Sequence, residues 1–319
     1  MSVPPFITAE SVAGRLTWPA FVAALDAGHA GAPARIDDVV LTEGAASLLN
    51  RAAWVPGVGL GLKTVTVFPD NCPPHPTVQG LFVLFDIDTG APLAMIDGPL
   101  ITKWKTAADS VLGARYLAPP DADSLLIVGS GTVAESLVDA YSAVFPALRR
   151  IAIWSRTEAN ARALVATKAA EGYPVTRATD LAKAVREARI VATATLSTEP
   201  ILRGDWLAPG THVDLIGAYR AEMREADDAV LRRGRLFVDS RASTIDHIGE
   251  LVLPLAAGII AEADVRGDLY DLRAGRAGRR SPEEITVFKN GGGAHLDVMA
   301  ATVLYQAYQA GVAGGANTD

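Results

Sequence analysis

The chain has 319 residues and a mass of 33.4 kDa; half of its residues are hydrophobic, and 29 basic against 36 acidic side chains leave a net charge of −7. That length suggests about two domains, and an acidic balance without a block of Lys and Arg lacks the electrostatic footprint of a nucleic-acid binder. Mean hydropathy is +0.22, yet the longest apolar stretch, residues 251–261, is broken by Pro254 and Gly258 and falls short of the ~20 residues a membrane span needs. The N-terminus shows neither the basic nor the apolar region of a secretory signal, and the single cysteine, Cys72, excludes an internal disulfide and a cysteine-based metal cluster. A soluble α/β enzyme of the reducing cytoplasm is the expectation.

Residues 62–68, 81–86 and 93–96 are strand-like, separated by Pro69-Asp70-Asn71, Pro73-Pro74 and Thr89-Gly90, with no long helix between them, so an antiparallel meander is predicted. A helix over 102–117 follows and ends at Pro119-Pro120, the strongest boundary signal in the chain. Beyond it, apolar runs at 125–128, 151–154, 190–195, 212–217, 236–239 and 285–288 alternate with helical patterns such as 135–144, 158–171 and 180–188. That rhythm predicts βαβ units in a doubly wound parallel sheet of Rossmann type, beside a smaller α+β domain. Residues 295–310 carry apolar positions at helical spacing and are expected to return to the first domain; 311–319 reads as a short frayed tail. The boundaries expected are 1–119 with 296–319 for the smaller domain and 120–295 for the sheet domain.

The run at 125–128 leads into Gly129-Ser130-Gly131-Thr132-Val133-Ala134 and then a helix. This is G-x-G-x-x-A in the strand-to-helix context of a dinucleotide site. Gly129 suits the tight turn, Gly131 allows close approach of a pyrophosphate, and Ala134 allows close helix–strand packing. A plain β–α turn is the competing reading of that motif alone. The second strand sharpens the choice: where a site for the unphosphorylated coenzyme carries an acid for the ribose, this chain has Ser155-Arg156-Thr157. A guanidinium there pairs with a 2′-phosphate, so NADP(H) is expected to be preferred, with NAD(H) possible.

The runs Gly61-Leu62-Lys63-Thr64-Val65-Thr66-Val67-Phe68, Pro76-Thr77-Val78-Gln79-Gly80, Thr102-Lys103-Trp104-Lys105-Thr106-Ala107-Ala108, the Gly129 loop, Ala194-Thr195-Leu196-Ser197-Thr198-Glu199-Pro200, Gly217-Ala218-Tyr219 with Arg224-Glu225-Ala226-Asp227, and Ile285-Thr286-Val287-Phe288-Lys289-Asn290 stand in one order. On them the chain resembles the ornithine cyclodeaminase/mu-crystallin family over nearly its whole length, and its pattern is nearest to the ketimine reductases. The resemblance implies a homodimer formed through the first domain, and an active site between the domains. The implied reaction, which belongs to proline metabolism, is reduction of Δ1-pyrroline-2-carboxylate or Δ1-piperideine-2-carboxylate to L-proline or L-pipecolate. Carried over position by position, it implies Arg35 as the substrate-carboxylate arginine, Lys63 as the lysine at the substrate, Thr77 in a substrate-facing turn, and Lys105 where most members have arginine. It implies coenzyme contacts from Gly129, Ser130, Gly131, Thr132, Val133, Ser155, Arg156, Thr157 and Thr195. Asp297 matches a family aspartate, with helix N-terminal capping as the alternative.

Three departures bear on activity. Lys105 lacks the two-pronged guanidinium grip. Tyr219 replaces the aspartate that takes part in cyclodeamination, which favours an imine reductase. Gly291-Gly292-Gly293 replaces a less flexible run and is expected to loosen its loop. The alternatives are an ornithine cyclodeaminase-type lyase, an alanine dehydrogenase-type enzyme and a mu-crystallin-like NADPH-binding protein. Lys63 lies in an otherwise apolar run, so burial is expected to lower its pKa and suit it as proton donor; an outward, solvated lysine is the plainer reading of a strand position. Trp54, Trp104 and Phe68 are expected to pack in the core more than to wall a slot for the ring. No histidine stands at metal-ligand spacing with Cys72 or another histidine, so no metal is expected.

Overall fold

The computed structural model describes residues 3–315 and divides into two compact units, Met1–Lys105 with Gly293–Asp319, and Thr106–Gly292. The first unit is built on β1 (Phe6–Ile7), β2 (Arg35–Glu43), β3 (Ala46–Val55), β4 (Gly59–Val67), β5 (Val78–Phe85) and β6 (Pro92–Asp97). Their order is β1-β6-β5-β4-β3-β2, antiparallel except for the β1–β6 pair. The predicted meander is β4-β5-β6. The β2–β3 hairpin extends it, and its outward row (Asp37, Val39, Leu41, Glu43) mixes acids with apolar residues, which blurs the two-residue period a strand normally shows.

Alternation along each strand gives this sheet two unlike faces. On one face, Ile7, Ala53, Val55, Phe82, Leu84, Ala94 and Ile96 are buried. The helices Trp18–Gly28 and Ala294–Gly315 belong to that core: Val298 and Thr302 lie against Gly59, and Met299 against Gly28. Thr17 opens the first of these helices by accepting from Ala20 N, with a proline in its first turn. Each large side chain removed from water here contributes roughly 1.5–3 kcal/mol. On the other face Trp54, Val39 and Leu41 are half exposed, beside Leu60, Leu62 and Phe85. The last helix runs through Gly311 to Gly315, so that part of the expected frayed tail is helical; residues 316–319 lie outside those described.

The second unit holds β7 (Ser124–Val128), β8 (Arg150–Trp154), β9 (Val175–Arg177), β10 (Ile190–Thr193), β11 (His212–Leu215), β12 (Arg235–Val238) and β13 (Thr286–Lys289) in the order β12-β13-β11-β10-β7-β8-β9, every pair parallel. All residues of β7, β10, β11 and β13 are buried, as expected for strands covered on both faces. The strand order reverses between β7 and β10, the place where such sheets bind ligands. β9 is only three residues long and too short for a periodic signal.

The units do not part at Pro119-Pro120 and 295/296 as the composition suggests, but at Lys105/Thr106 and Gly292/Gly293. The helix Gly98–Leu117 runs through the first of these points. Its second half belongs to the sheet: Asn290 Nδ2 donates to Thr106 O (3.0 Å) and Ser110 Oγ (2.9 Å), and Gly113 packs so closely on Phe288 that an added Cβ would lie 2.7 Å from the ring. Among the described residues no helix is long and apolar enough to cross a membrane.

Candidate active site

In the second unit the chain turns sharply at Gly129. Its φ is +138°, and a Cβ there would fall 2.4 Å from Ala194 O, so both conformation and space demand glycine. Gly129 N donates to Trp154 O (2.8 Å) and Ala194 N to Val128 O (2.8 Å), which ties the carboxyl ends of β7, β8 and β10 together. Gly131 is the N-cap of the helix Thr132–Val144 and provides no side-chain cap. A Cβ on it would meet nothing within 4 Å, and the first-turn N–H groups of a helix have no partner within the helix, which fits a pyrophosphate. Ala134 is fully buried at the helix–strand contact. Ser130 Oγ donates to Ser155 Oγ (3.0 Å), while Arg156 and Thr157 are exposed. The structure therefore gathers Gly129, Ser130, Gly131, Thr132, Val133, Ser155, Arg156, Thr157 and Thr195 around adjacent strand ends, and this donor set suits a nicotinamide dinucleotide.

Beneath these loops lies a buried acid that the sequence reading does not single out. Glu225 accepts from Thr193 Oγ1 (2.7 Å), Thr195 N (2.7 Å), Thr195 Oγ1 (2.8 Å) and Gly217 N (2.7 Å), pinning the loops after β10 and β11 to each other. Glu250 in turn accepts from Glu225 N (2.8 Å) and Ala226 N (3.0 Å); burial, with the neighbouring Glu225 charge, pushes its carboxyl up to about 7. Lys289 Nζ donates to Leu215 O (2.9 Å) and Asn290 O (2.7 Å), its ammonium disfavoured by burial and supported by the surrounding acids. The signal for Glu225 was an acid inside the run 224–227, but only folding shows what it holds.

The loop with three glycines is tighter than its composition suggests. Asn290 N donates to Leu215 O (3.0 Å), and a Cβ on Gly291 would meet Thr244 Oγ1 at 2.1 Å. At that position glycine serves close packing.

In the first unit, one cross-strand row of the inner face runs Asp38, Arg51, Lys63, Phe82, Ile96, Ile7. Its apolar half is core, and its charged half is part of a buried ion-pair cluster. Lys63, 8 % exposed, donates to Thr102 Oγ1 (3.1 Å) and Asp297 Oδ1 (3.4 Å), and Lys105 Nζ reaches the same Asp297 oxygen at 3.0 Å. Burial pushes the Lys63 ammonium down to about 8; Asp297 opposes the shift, and the charges of Lys105 and Arg51 add to it. Burial works to raise the Asp297 carboxyl, but Lys105, Lys63 and Arg51 outweigh it and hold the group below its usual range. Asp297 stands in the first turn of the last helix, yet its partners are these ammonium groups.

Lys63 and Lys105 are thus brought together, and two other expected substrate residues are not. Arg35 pairs with Trp54, three residues from Arg51, so alternation puts it on the outer face, exposed beside Trp54, Leu60 and Leu62. Thr77 is exposed past the end of β5, five residues from Phe82, about 16 Å along the strand from the Lys63 row. Trp54 and Phe68 are 49 % and 48 % exposed, against the expectation of core packing. Trp104 does join aromatic neighbours, its ring centroid 4.2 Å from that of Trp18 and 5.2 Å from that of Phe21. Among the described residues no three His, Cys, Asp or Glu side chains converge in a way that would hold a metal.

Comparison with known proteins shows the family. The profile of the ornithine cyclodeaminase/mu-crystallin family matches residues 55–311. The chain is 50 % identical over 305 residues, 95 % of its length and 96 % of the relative's, to a Δ1-pyrroline-2-carboxylate reductase of Paracoccus denitrificans. It is 34 % identical to the mouse ketimine reductase mu-crystallin, over 74 % of this chain and 72 % of that one. Among solved structures, the iminosuccinate reductase of Paracoccus denitrificans in complex with NAD+ superposes with a TM-score of 0.88 at 28 % identity, covering 96 % of each chain. On the profile match over residues 55–311 and the 50 % identity across 95 % of its length, the chain belongs to the ornithine cyclodeaminase/mu-crystallin family.

Proposed function

We propose that this chain reduces Δ1-pyrroline-2-carboxylate, and its six-membered homologue Δ1-piperideine-2-carboxylate, to L-proline and L-pipecolate with NADPH as donor. That it is a nicotinamide-dependent oxidoreductase acting on a C=N bond rests on the family and on the 50 % identity with a reductase of that name. The observation that carries the substrate is the Lys63–Asp297–Lys105 cluster. It is a buried cluster of two ammonium groups about one carboxylate, and in sequence Tyr219, 55 % exposed, stands where a cyclodeaminase would carry aspartate.

The bound coenzyme supplies a hydride to the imine carbon. Lys63 donates its proton toward the ring nitrogen, and Asp297 orients both ammonium groups while keeping them charged. Lys105 presents a point charge to the substrate carboxylate. In the second unit the Gly131–Thr132 turn holds the pyrophosphate, and Ser155, Arg156 and Thr157 hold the 2′-phosphate. Arg156, not the fold, carries the choice of NADPH, since the structurally similar iminosuccinate reductase was solved with NAD+.

The protein works as a homodimer, through the outer sheet face where Phe6, Val39, Leu41 and Trp54 are 52, 51, 59 and 49 % exposed. Apolar surface of this kind is uncommon on a monomer. Its compartment is the cytoplasm, which suits a chain whose one cysteine is exposed and unpaired. Initial rates with each imino acid and each coenzyme test the reading. The expected result is turnover of both rings with kcat/KM at least about tenfold higher for NADPH. Ammonia release from ornithine without net change in coenzyme would replace it with a lyase. Sedimentation of Trp54→Asp tests the interface; a monomer is expected.

A further inference from the structure

We propose that Arg51 supplies the guanidinium that grips the substrate carboxylate, the role that the family pattern assigns to Arg35. This rests on the reductase reading above and names the part of that site which fixes the substrate class as a small α-imino carboxylate.

Three observations carry it. Arg51 is the direct cross-strand partner of Lys63 on the inner face, whereas Arg35, by the same register, is on the outer one. Its charge is felt at Lys63, Asp297 and His295, so it belongs to the same electrostatic cluster. Exposure also grades outward through the cluster: the side chain of Asp297 is 0 % exposed, Lys105 5 %, Lys63 10 % and Arg51 18 %. Arg51 is thus the cation nearest solvent, where an entering anion is met first.

The ion pairs of the cluster fit this role. Lys63 and Lys105 both reach Asp297, and Asp38 Oδ2 accepts from Arg51 Nε at 2.9 Å. The Asp38 contact fixes the Nε edge of the guanidinium, so the planar fork is set in orientation before substrate binds. This also accounts for Lys105: the two-pronged grip it lacks comes instead from Arg51 on β3, the strand beside Lys63.

The test uses the full-length enzyme with NADPH and two imines, Δ1-pyrroline-2-carboxylate and 2-methyl-1-pyrroline, which has no carboxylate. Arg51→Ala is expected to raise KM for the first about 100-fold and to leave kcat/KM for the second within about threefold. Arg51→Lys, which keeps charge without the fork, is expected to raise KM about tenfold. Melting temperature and NADPH fluorescence, unchanged in both variants, separate a binding role from a structural one. Equal losses on both imines, or a KM effect in Arg35→Ala that Arg51→Ala lacks, would overturn the assignment. If the wild type reduces neither imino acid, the reductase reading fails, and calorimetry with pyrrole-2-carboxylate, the planar carboxylate analogue, still decides on Arg51. Binding by wild type that Arg51→Ala abolishes upholds the grip, while equal binding or none by wild type refutes it.

Discussion

The two units encode their chemistry in different ways. In the second, a contiguous run of six residues, 129–134, makes the turn, the helix start and the room beside Gly131 that the proposed pyrophosphate site uses. In the first, Lys63, Lys105 and Asp297 come from β4, from the helix after β6 and from the last helix, so the site exists only through register and chain return. A phosphate binder can be local because a helix N-terminus already offers aligned donors. A cluster of like charges needs partners from far along the chain, because burying them unpaired costs too much.

The sharpest way to break this comparison is at Lys63. Lys63→Met is expected to lower kcat/KM about 1,000-fold, while NADPH fluorescence and titration, read from the other unit, stay as in wild type. If coenzyme binding falls as well, the halves are not separable in the way their origins suggest. Arg156→Ala probes the opposite half with a smaller effect. KM for NADPH should rise about 100-fold with little change for NADH, which would invert the preference. Equal loss with both coenzymes would remove Arg156 from the 2′-phosphate.

How much of each half was legible follows from the same contrast. The strand–Gly loop–helix unit, the parallel strands and the Ser155-Arg156-Thr157 turn were readable because each signal spans fewer than about ten residues. Lys63 was readable as a charge in an apolar run, and burial does lower its pKa. Arg51 was not readable: Asn50-Arg51-Ala52 looks like a solvated position until pairing sets Arg51 across from Lys63. Arg35 is the mirror case. It matches the family pattern in sequence, but a residue an odd number of positions from the site row projects from the opposite face. The boundary at Pro119-Pro120 misled because a proline pair ends a helix without ending a domain; Asn290 and Phe288 claim the helix well before it.

A pH profile sharpens the first half further. With the Lys63 ammonium titrating at about 8, the proton donor is loaded below that value and lost above it. The expected kcat/KM is therefore level near pH 7 and falls about tenfold per unit above pH 8 to 9. Asp297→Asn removes the charge that opposes the burial shift, so the break should move to lower pH. A break that stays in place would mean another group controls the rate.

The smallest expected effect tests whether the coenzyme half is as local as its motif. Thr195 follows β10 and meets Glu225 twice, through its backbone N–H at 2.7 Å and its Oγ1 at 2.8 Å. Thr195→Val keeps the first bond, the shape and the β-branched backbone preference, and removes only the hydroxyl. Glu225 is left with Thr193 Oγ1 and the two backbone donors. The loss of one hydrogen bond to a buried carboxylate is expected to cost about 1–3 kcal/mol in urea unfolding. The loop after β10 then loses its hydroxyl tether to Glu225 and a longer contact from Ser197 N (3.4 Å), so kcat should fall by less than about fivefold, with KM for NADPH nearly unchanged because the phosphates are held at the other loop. A larger rise in KM for NADPH than fall in kcat would show that Glu225 reaches the phosphate loop too, and that the coenzyme half, like the substrate half, depends on residues its motif does not contain.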